Sequence, residues 1–252
     1  MTISPRLTEL LEATDSVCVL TGSGISAESG IATFRGPEGL WAKFKPHELA
    51  NFDAFMRNPE LVWEWYTYRK TVMSQAQPNA AHHALVEMET LITDFTLVTQ
   101  NVDNLHARAG AKRVLELHGN LERSYCIECG LFAADPILAA KGEAPRCTQC
   151  GGLLRPDVVW FGELLPQMVL QEAFRAAERC DLFLCVGTSG LVYPAAGIPL
   201  VAREQGAYVV EVNTEPTELS RRCSETLLGK AGEILPLLTN ILRDAQGGRQ
   251  HS

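Results

Sequence analysis

The stretch VCVLTGSGISAESGIATFR, residues 17–35, decides how this chain is read. Its apolar opening reads as a buried strand. The glycine-rich segment behind it reads as a tight turn into a short helix around 27–29. Backbone N–H groups converge in such a turn, and glycine lets them approach a bound group closely, so the turn suits phosphate. Gly22, Gly24 and Ala27 fit the relaxed dinucleotide fingerprint. The acidic residue that ordinarily follows on a second strand is absent, because residues 38–50 contain no clean strand to carry it. That disfavours an ordinary dehydrogenase. A tight turn without a ligand is the bland alternative.

Outward from this turn, the same arrangement recurs. Strands are expected at 16–21, 95–99, 113–117, 181–186 and 207–212. Each delivers glycine or polar residues at its carboxyl end: Gly22, Gln100, His118, Gly187-Thr188-Ser189 and Asn213. In an open parallel sheet, ligands bind along that edge. Helices are expected at 4–14, 80–89, 166–179, 194–205 and 231–243, giving an α/β fold with a Rossmann-like parallel sheet. Its segments are 1–35, 81–120 and 158–245. Residues 36–80 break the pattern: Trp41, Phe44, Phe52, Phe55, Trp63, Trp65 and Tyr66 crowd there, and Asn58-Pro59 signals a helix start. This segment reads as a helical insert or lid. Residues 121–157 form a cysteine module, and 246–252 reads as a disordered tail.

The chain has 252 residues, 46% hydrophobic and 21% charged, an ordinary globular balance with room for a large core. With 22 basic and 30 acidic side chains, the net charge of -8 disfavours broad nucleic-acid binding but is compatible with a basic polypeptide partner. No apolar stretch is long enough for a bilayer, and the first residues lack a signal-peptide pattern, so a cytoplasmic location is expected.

Of the eight cysteines, Cys18 and Cys185 sit in strand-like segments as buried small hydrophobes. Cys126-x-x-Cys129 and Cys147-x-x-Cys150, with 17 residues between the pairs, match a zinc ribbon or knuckle. Disulfides are the competing reading, but a chain of this size has little need of staples.

His118 ends a strand-like segment directly before glycine. Taken alone it reads as a structural histidine. Asn101 and Asp103, on the loop after a neighbouring strand, turn the reading toward a site where imidazole accepts a proton near neutral pH. Phe34 and Arg35 can cover a ring and pair with phosphate, or equally fill core and surface.

The segments GSGISAESGIATFRG, QNVDNLH, ELHG, the paired CxxC motifs, VVWFGE, GTS and NTE occur in that order over nearly the whole chain. In this the chain resembles a sirtuin of the Sir2 family, an NAD-dependent protein-lysine deacylase. The resemblance implies a large Rossmann-like domain, a smaller domain made of a zinc ribbon and a helical insert, and a cleft between them for NAD and acyl-lysine. It assigns Gly22, Ser23, Gly24, Ala27 and Glu28 to the NAD loop, with Thr33, Phe34, Arg35 and Trp41 nearby. Gln100, Asn101 and Asp103 would shape the ribose and nicotinamide region. Gly187, Thr188, Ser189, Asn213, Thr214, Glu215 and Ala231 would contact the cofactor. Val159, Trp160, Phe161 and Gly162 would meet the substrate, an acyl-lysine protein or peptide. Ser23 departs from the family's common alanine, and its hydroxyl would alter packing near the pyrophosphate.

The implied mechanism consumes NAD. The acyl oxygen attacks C1′ of the nicotinamide ribose, nicotinamide leaves, and His118 as catalytic base helps a ribose hydroxyl attack the resulting imidate. Water then completes the release of lysine and 2′-O-acyl-ADP-ribose. By the same resemblance Cys126, Cys129, Cys147 and Cys150 hold one structural zinc. Neither nucleic acid nor membrane is an implied partner, and a monomer is compatible with the cleft.

Tyr66 and Arg69, three apart, would share one helical face. Read alone they are a core aromatic and a surface arginine. They also match the Tyr-x-x-Arg of the desuccinylase and demalonylase group, where arginine and the phenol would hold an acyl carboxylate. Removal of succinyl, malonyl and acetyl groups is therefore expected. Plain deacetylation, mono-ADP-ribosyl transfer and an NAD-sensing module without turnover are the alternatives.

Overall fold

The computed structural model describes residues 2–33, 46–133 and 139–249. In chain order the strands are β1 (Ser16–Thr21), β2 (Asp94–Thr99), β3 (Val114–Glu116), β4 (Gly119–Cys126), β5 (Leu154–Val158), β6 (Leu182–Val186), β7 (Tyr208–Asn213) and β8 (Glu225–Leu228). Among the described residues, six form one parallel sheet in the order β3-β2-β1-β6-β7-β8. The chain builds outward from β1 through β2 to β3, then returns to place β6 on the other side of β1. The loops after β1 and β6 therefore diverge, and that divergence opens a crevice at the carboxyl edge.

Side chains alternate faces along these strands, so each face has its own core. Val17, Val19, Leu182, Leu184, Val210 and Val212 pack with the helices Ala80–Leu91 and Ala231–Arg249. Cys18, Leu20, Phe183, Cys185 and Val209 face the helices Gln167–Arg179 and Ile198–Glu204. Cys18 and Cys185 are fully buried, as expected of small hydrophobes.

The smaller unit joins two segments far apart in sequence. Helices Pro46–Leu49, Phe52–Arg57 and Pro59–Gln75 share a third core with the antiparallel β4–β5 pair, built on Phe55, Trp63, Trp65, Tyr66, Leu121, Leu154 and Trp160. Asn58 Oδ1 accepts from Leu61 N at 3.1 Å with Pro59 in the first turn, the helix start legible in the sequence. Trp63 is fully buried, and its indole N–H donates to Leu154 O at 2.8 Å, tying the helix to the hairpin.

Several local expectations are corrected. The turn after β1 is a 3-10 helix over Ser23–Ser29 rather than a short piece at 27–29. Strands β4, β5 and β8 carry no strand signal in the sequence: Glu122 and Arg123 interrupt β4, Arg155, Pro156 and Asp157 interrupt β5, and β8 is only four residues long. The closing helix runs to Arg249, past the expected end at 243 and into the expected tail. Gln246 donates to the Leu91 carbonyl there and holds that turn on the domain. No helix of the described residues is long and apolar enough to cross a membrane.

Candidate active site

The glycine turn and the loop after β6 press backbone against backbone. Gly22 N donates to Val186 O at 2.9 Å and Gly24 N to Gly187 O at 2.8 Å. A Cβ on Gly24 would lie 2.7 Å from Gly187 Cα, and one on Gly187 would lie 2.5 Å from Ile25 N. Gly187 also has φ +60. Only glycine fits this contact, and it leaves a cradle of main chain open at the sheet edge.

Above it lies a cleft of about 540 Å³. Its walls bring together Gly22, Ser23, Gly24, Ala27, Thr33, Gln100, Asn101 and His118 from one side. Gly187, Thr188, Ser189, Asn213, Thr214, Glu215 and Ala231 come from another. Tyr66, Arg69, Val159, Trp160, Phe161 and Gly162 line the end nearest the smaller unit. The strand-end residues also hold one another: Gln100 Nε2 donates to Thr188 Oγ1 at 2.9 Å, and Asn213 Nδ2 to Thr188 O at 3.0 Å.

Two expected contacts lie elsewhere. Glu28 is not on the cleft wall; its carboxylate accepts from Gly232 N at 2.8 Å, at the start of the closing helix, where the helix dipole favours an anion. Asp103 is buried behind the wall, accepting from Ser26 Oγ at 2.7 Å and Leu105 N at 3.0 Å. Burial raises its pKa, while those bonds and the charge of Arg69 oppose the rise. Asn101 bridges the two layers, its Nδ2 donating to Gly22 O and to Ser26 Oγ. Phe34, Arg35 and Trp41 lie outside the described residues.

His118 sits where the chain leaves the large sheet for β4. The next residue, Gly119, has φ +80, and a Cβ there would meet Asp157 O at 2.2 Å. The turn thus demands glycine, and it aims the preceding imidazole into the cleft. His118 Nδ1 lies 3.0 Å from Gln100 O. A carbonyl only accepts, so Nδ1 carries the proton and Nε2 is the basic nitrogen. Burial lowers the pKa of His118 against the opposing pull of that hydrogen bond, so the ring is neutral at neutral pH and Nε2 is its proton-accepting nitrogen.

Tyr66 is the core aromatic expected of it, but Arg69 is not a surface arginine. Both lie on the helix Pro59–Gln75, are only 2% and 6% exposed, and reach the cleft. Arg69 Cζ stands 4.9 Å over the Trp65 ring. Burial lowers the Arg69 pKa, with Tyr66 and Asp103 acting in the opposite direction.

The four paired cysteines converge, with all sulfurs within 4.8 Å of one another. Cys126 and Cys150 sulfurs are 3.4 Å apart, and those of Cys129 and Cys147 are 3.8 Å apart. A disulfide needs about 2.05 Å, whereas a tetrahedral ion with bonds of about 2.3 Å spaces sulfurs by roughly 3.8 Å. Gln149 N and Gly152 N each donate to a sulfur at 3.4 Å. The donor set fits a metal and leaves no open position for chemistry.

Other wall residues were not singled out from sequence: Trp65, Val192, Tyr193, Pro216 and Thr217. Tyr193 and Thr217 follow the GTS and NTE segments within five residues, the one signal that could have found them. Nothing local marks Glu211. It is fully buried, and its carboxylate accepts from the hydroxyls of Thr217 and Ser220, which orders the loop after Asn213.

A parallel α/β sheet with a glycine cradle at its switch point, a neutral histidine in the cleft and, apart from the cleft, a metal-ready cysteine cluster is the frame of a dinucleotide-dependent enzyme. The Sir2 family matches residues 22–194. An NAD-dependent protein deacylase of Aquifex aeolicus (strain VF5) is 49% identical over 234 residues, covering 93% of this chain and 98% of that protein. A mutant Sir2 homologue in complex with 2′-O-acetyl ADP ribose superposes with a TM-score of 0.91 at 43% identity, covering 96% of this chain and 98% of that one. A Sir2 complex with a p53 peptide and NAD+ gives a TM-score of 0.85 at 33% identity, covering 98% and 99%. The chain belongs to the Sir2 family, the NAD-dependent protein deacylases.

Proposed function

We propose that this enzyme removes acyl groups from protein lysines with a preference for chains ending in a carboxylate, succinyl and malonyl, and that it retains activity on acetyl-lysine. The observation that carries the preference is the buried pair Tyr66 and Arg69 on the cleft wall. A carboxylate entering this apolar end would be costly unless paired, and a guanidinium with a phenol supplies the partners. Acetyl offers no anion and needs only the apolar walls.

NAD would lie along the glycine cradle, its phosphates over the turn at 22–24 and its nicotinamide ribose toward Asn101 and His118. His118 Nε2 would take the proton of a ribose hydroxyl, with Gln100 O keeping the ring in the right tautomer. Asn101 would position that region directly, and Asp103 through Ser26. The product would be 2′-O-acyl-ADP-ribose. Cys126, Cys129, Cys147 and Cys150 would hold one structural zinc, which joins the hairpin ends in a ribbon and supplies no reaction step. A plain deacetylase is the second reading, favoured by the charge interaction of Arg69 with Asp103, which gives the arginine an internal role.

The test is a matched panel. Purified protein is incubated with NAD and unmodified, acetyl-, malonyl- and succinyl-lysine peptides, and mass spectrometry follows deacylation, nicotinamide and acyl-ADP-ribose together. Faster NAD-dependent turnover of the acidic acyl peptides is expected. Turnover of acetyl-lysine alone would remove the selector, and none at all would favour NAD sensing.

A further inference from the structure

Trp160 is held from several directions. Arg155, 3% exposed, places its Cζ 3.6 Å over the indole, and it pairs with Glu163 through two contacts of 2.5 and 2.9 Å. Glu163 Oε2 accepts from Trp160 N at 2.8 Å. Phe55 packs on the ring at a centroid distance of 5.2 Å. So restrained, Trp160 donates its indole N–H to Tyr66 Oη at 2.8 Å, both side chains being at most 2% exposed.

The chemistry of this bond has one direction. Indole nitrogen is a donor only, whereas a phenol both accepts and donates. Tyr66 Oη must therefore accept on the side facing Trp160, and its own proton must point the other way. Among the described residues no protein acceptor meets that proton, and Tyr66 lines the cleft beside Arg69. An accepted hydrogen bond also polarises the phenol and makes it a stronger donor. Burial raises the Tyr66 pKa to about 12, so the proton stays on the oxygen.

We infer that Trp160 is a specificity-determining positioning residue: its indole N–H fixes the direction of the Tyr66 hydroxyl, so that Tyr66 donates into the acyl end of the cleft and selects acyl chains ending in a carboxylate. This role presupposes that Tyr66 meets an acyl carboxylate, as proposed above. The Arg155–Glu163 pair, one member on β5, links the cysteine hairpin to that orientation through Trp160.

A double-mutant cycle tests it. Trp160→Phe, Tyr66→Phe and the double variant are assayed at saturating NAD on matched succinyl- and acetyl-lysine peptides, and the ratio of the two kcat/KM values is read. Both substrates are measured in one preparation, so the ratio is unaffected by the fraction of protein that folds. Trp160→Phe is expected to lower the succinyl-to-acetyl ratio about ten-fold. The double variant should lower it no further than Tyr66→Phe, because without the phenol the indole has nothing to orient. A ratio that falls in Tyr66→Phe but not in Trp160→Phe, or effects that multiply in the double variant, would overturn the role of Trp160 alone. A ratio unmoved by Tyr66→Phe and by Arg69→Met would remove the carboxylate reading itself.

Discussion

Arg69→Met removes the guanidinium while keeping an unbranched apolar side chain in the same space. Arg69 is 6% exposed, so an acyl carboxylate that meets it leaves nearly all its water behind. Breaking a buried ion pair by deleting one partner costs about 3–5 kcal/mol. The low end is appropriate here, because the cleft is open at its mouth and Tyr66 still donates. A loss of about 3 kcal/mol corresponds to a fall of roughly 150-fold in kcat/KM on succinyl-lysine. Acetyl-lysine presents no charge to this position, so its kcat/KM should change by about three-fold or less. Arg69→Lys keeps the charge but not the planar fork and should fall between the two. The assay is initial-rate mass spectrometry on peptides identical but for the acyl group, at saturating NAD. Equal losses on both peptides would refute the reasoning and leave Arg69 as a neighbour of Asp103.

His118→Asn preserves a polar side chain but no base, and should depress turnover on every acyl peptide by at least about 100-fold, with NAD binding by calorimetry largely retained. One zinc per folded chain is expected by elemental analysis, and stripping it with a chelator should lower the melting temperature together with activity; a metal-free sample that is folded and active would defeat the site. The fold should also weaken in acid. Burial lowers the pKa of His82 to about 4 and that of His106 to about 3, so the unfolded chain binds protons from about pH 6.5 downward that the folded chain refuses. Their stabilisation is complete above the unfolded pKa and is lost as pH falls toward those folded values, by about 2 kcal/mol per histidine between pH 7 and 5. Urea unfolding at the two pH values checks this, and His106→Gln should flatten the slope.

Five of the six strands of the parallel sheet, all but the short edge strand β8, were legible because they are self-sufficient signals. Val17–Leu20 and Leu182–Val186 are continuous apolar runs with a glycine one or two residues beyond their ends, and a strand buried on both faces must look so. The residues at the strand ends were legible for the same reason: a parallel sheet delivers all its carboxyl-end loops to one edge. The cysteine cluster could be read from spacing alone, since knuckle geometry is local. What only the tertiary structure decided is what each polar group faces. The sequence cannot show that Glu28 turns to Gly232, or that Glu211 waits beneath the loop after Asn213. It equally leaves open whether Arg69 is a surface charge or a buried one, because a helix with Tyr66 and Arg69 three apart reads the same with either face inward. That question was settled by packing across residues distant in the chain, when Trp63 and Tyr66 met Leu154 of the hairpin and Trp160 just after it. Burial sets the cost of a charge and the direction of a hydroxyl, and burial is a property of the assembled core, not of any segment within it.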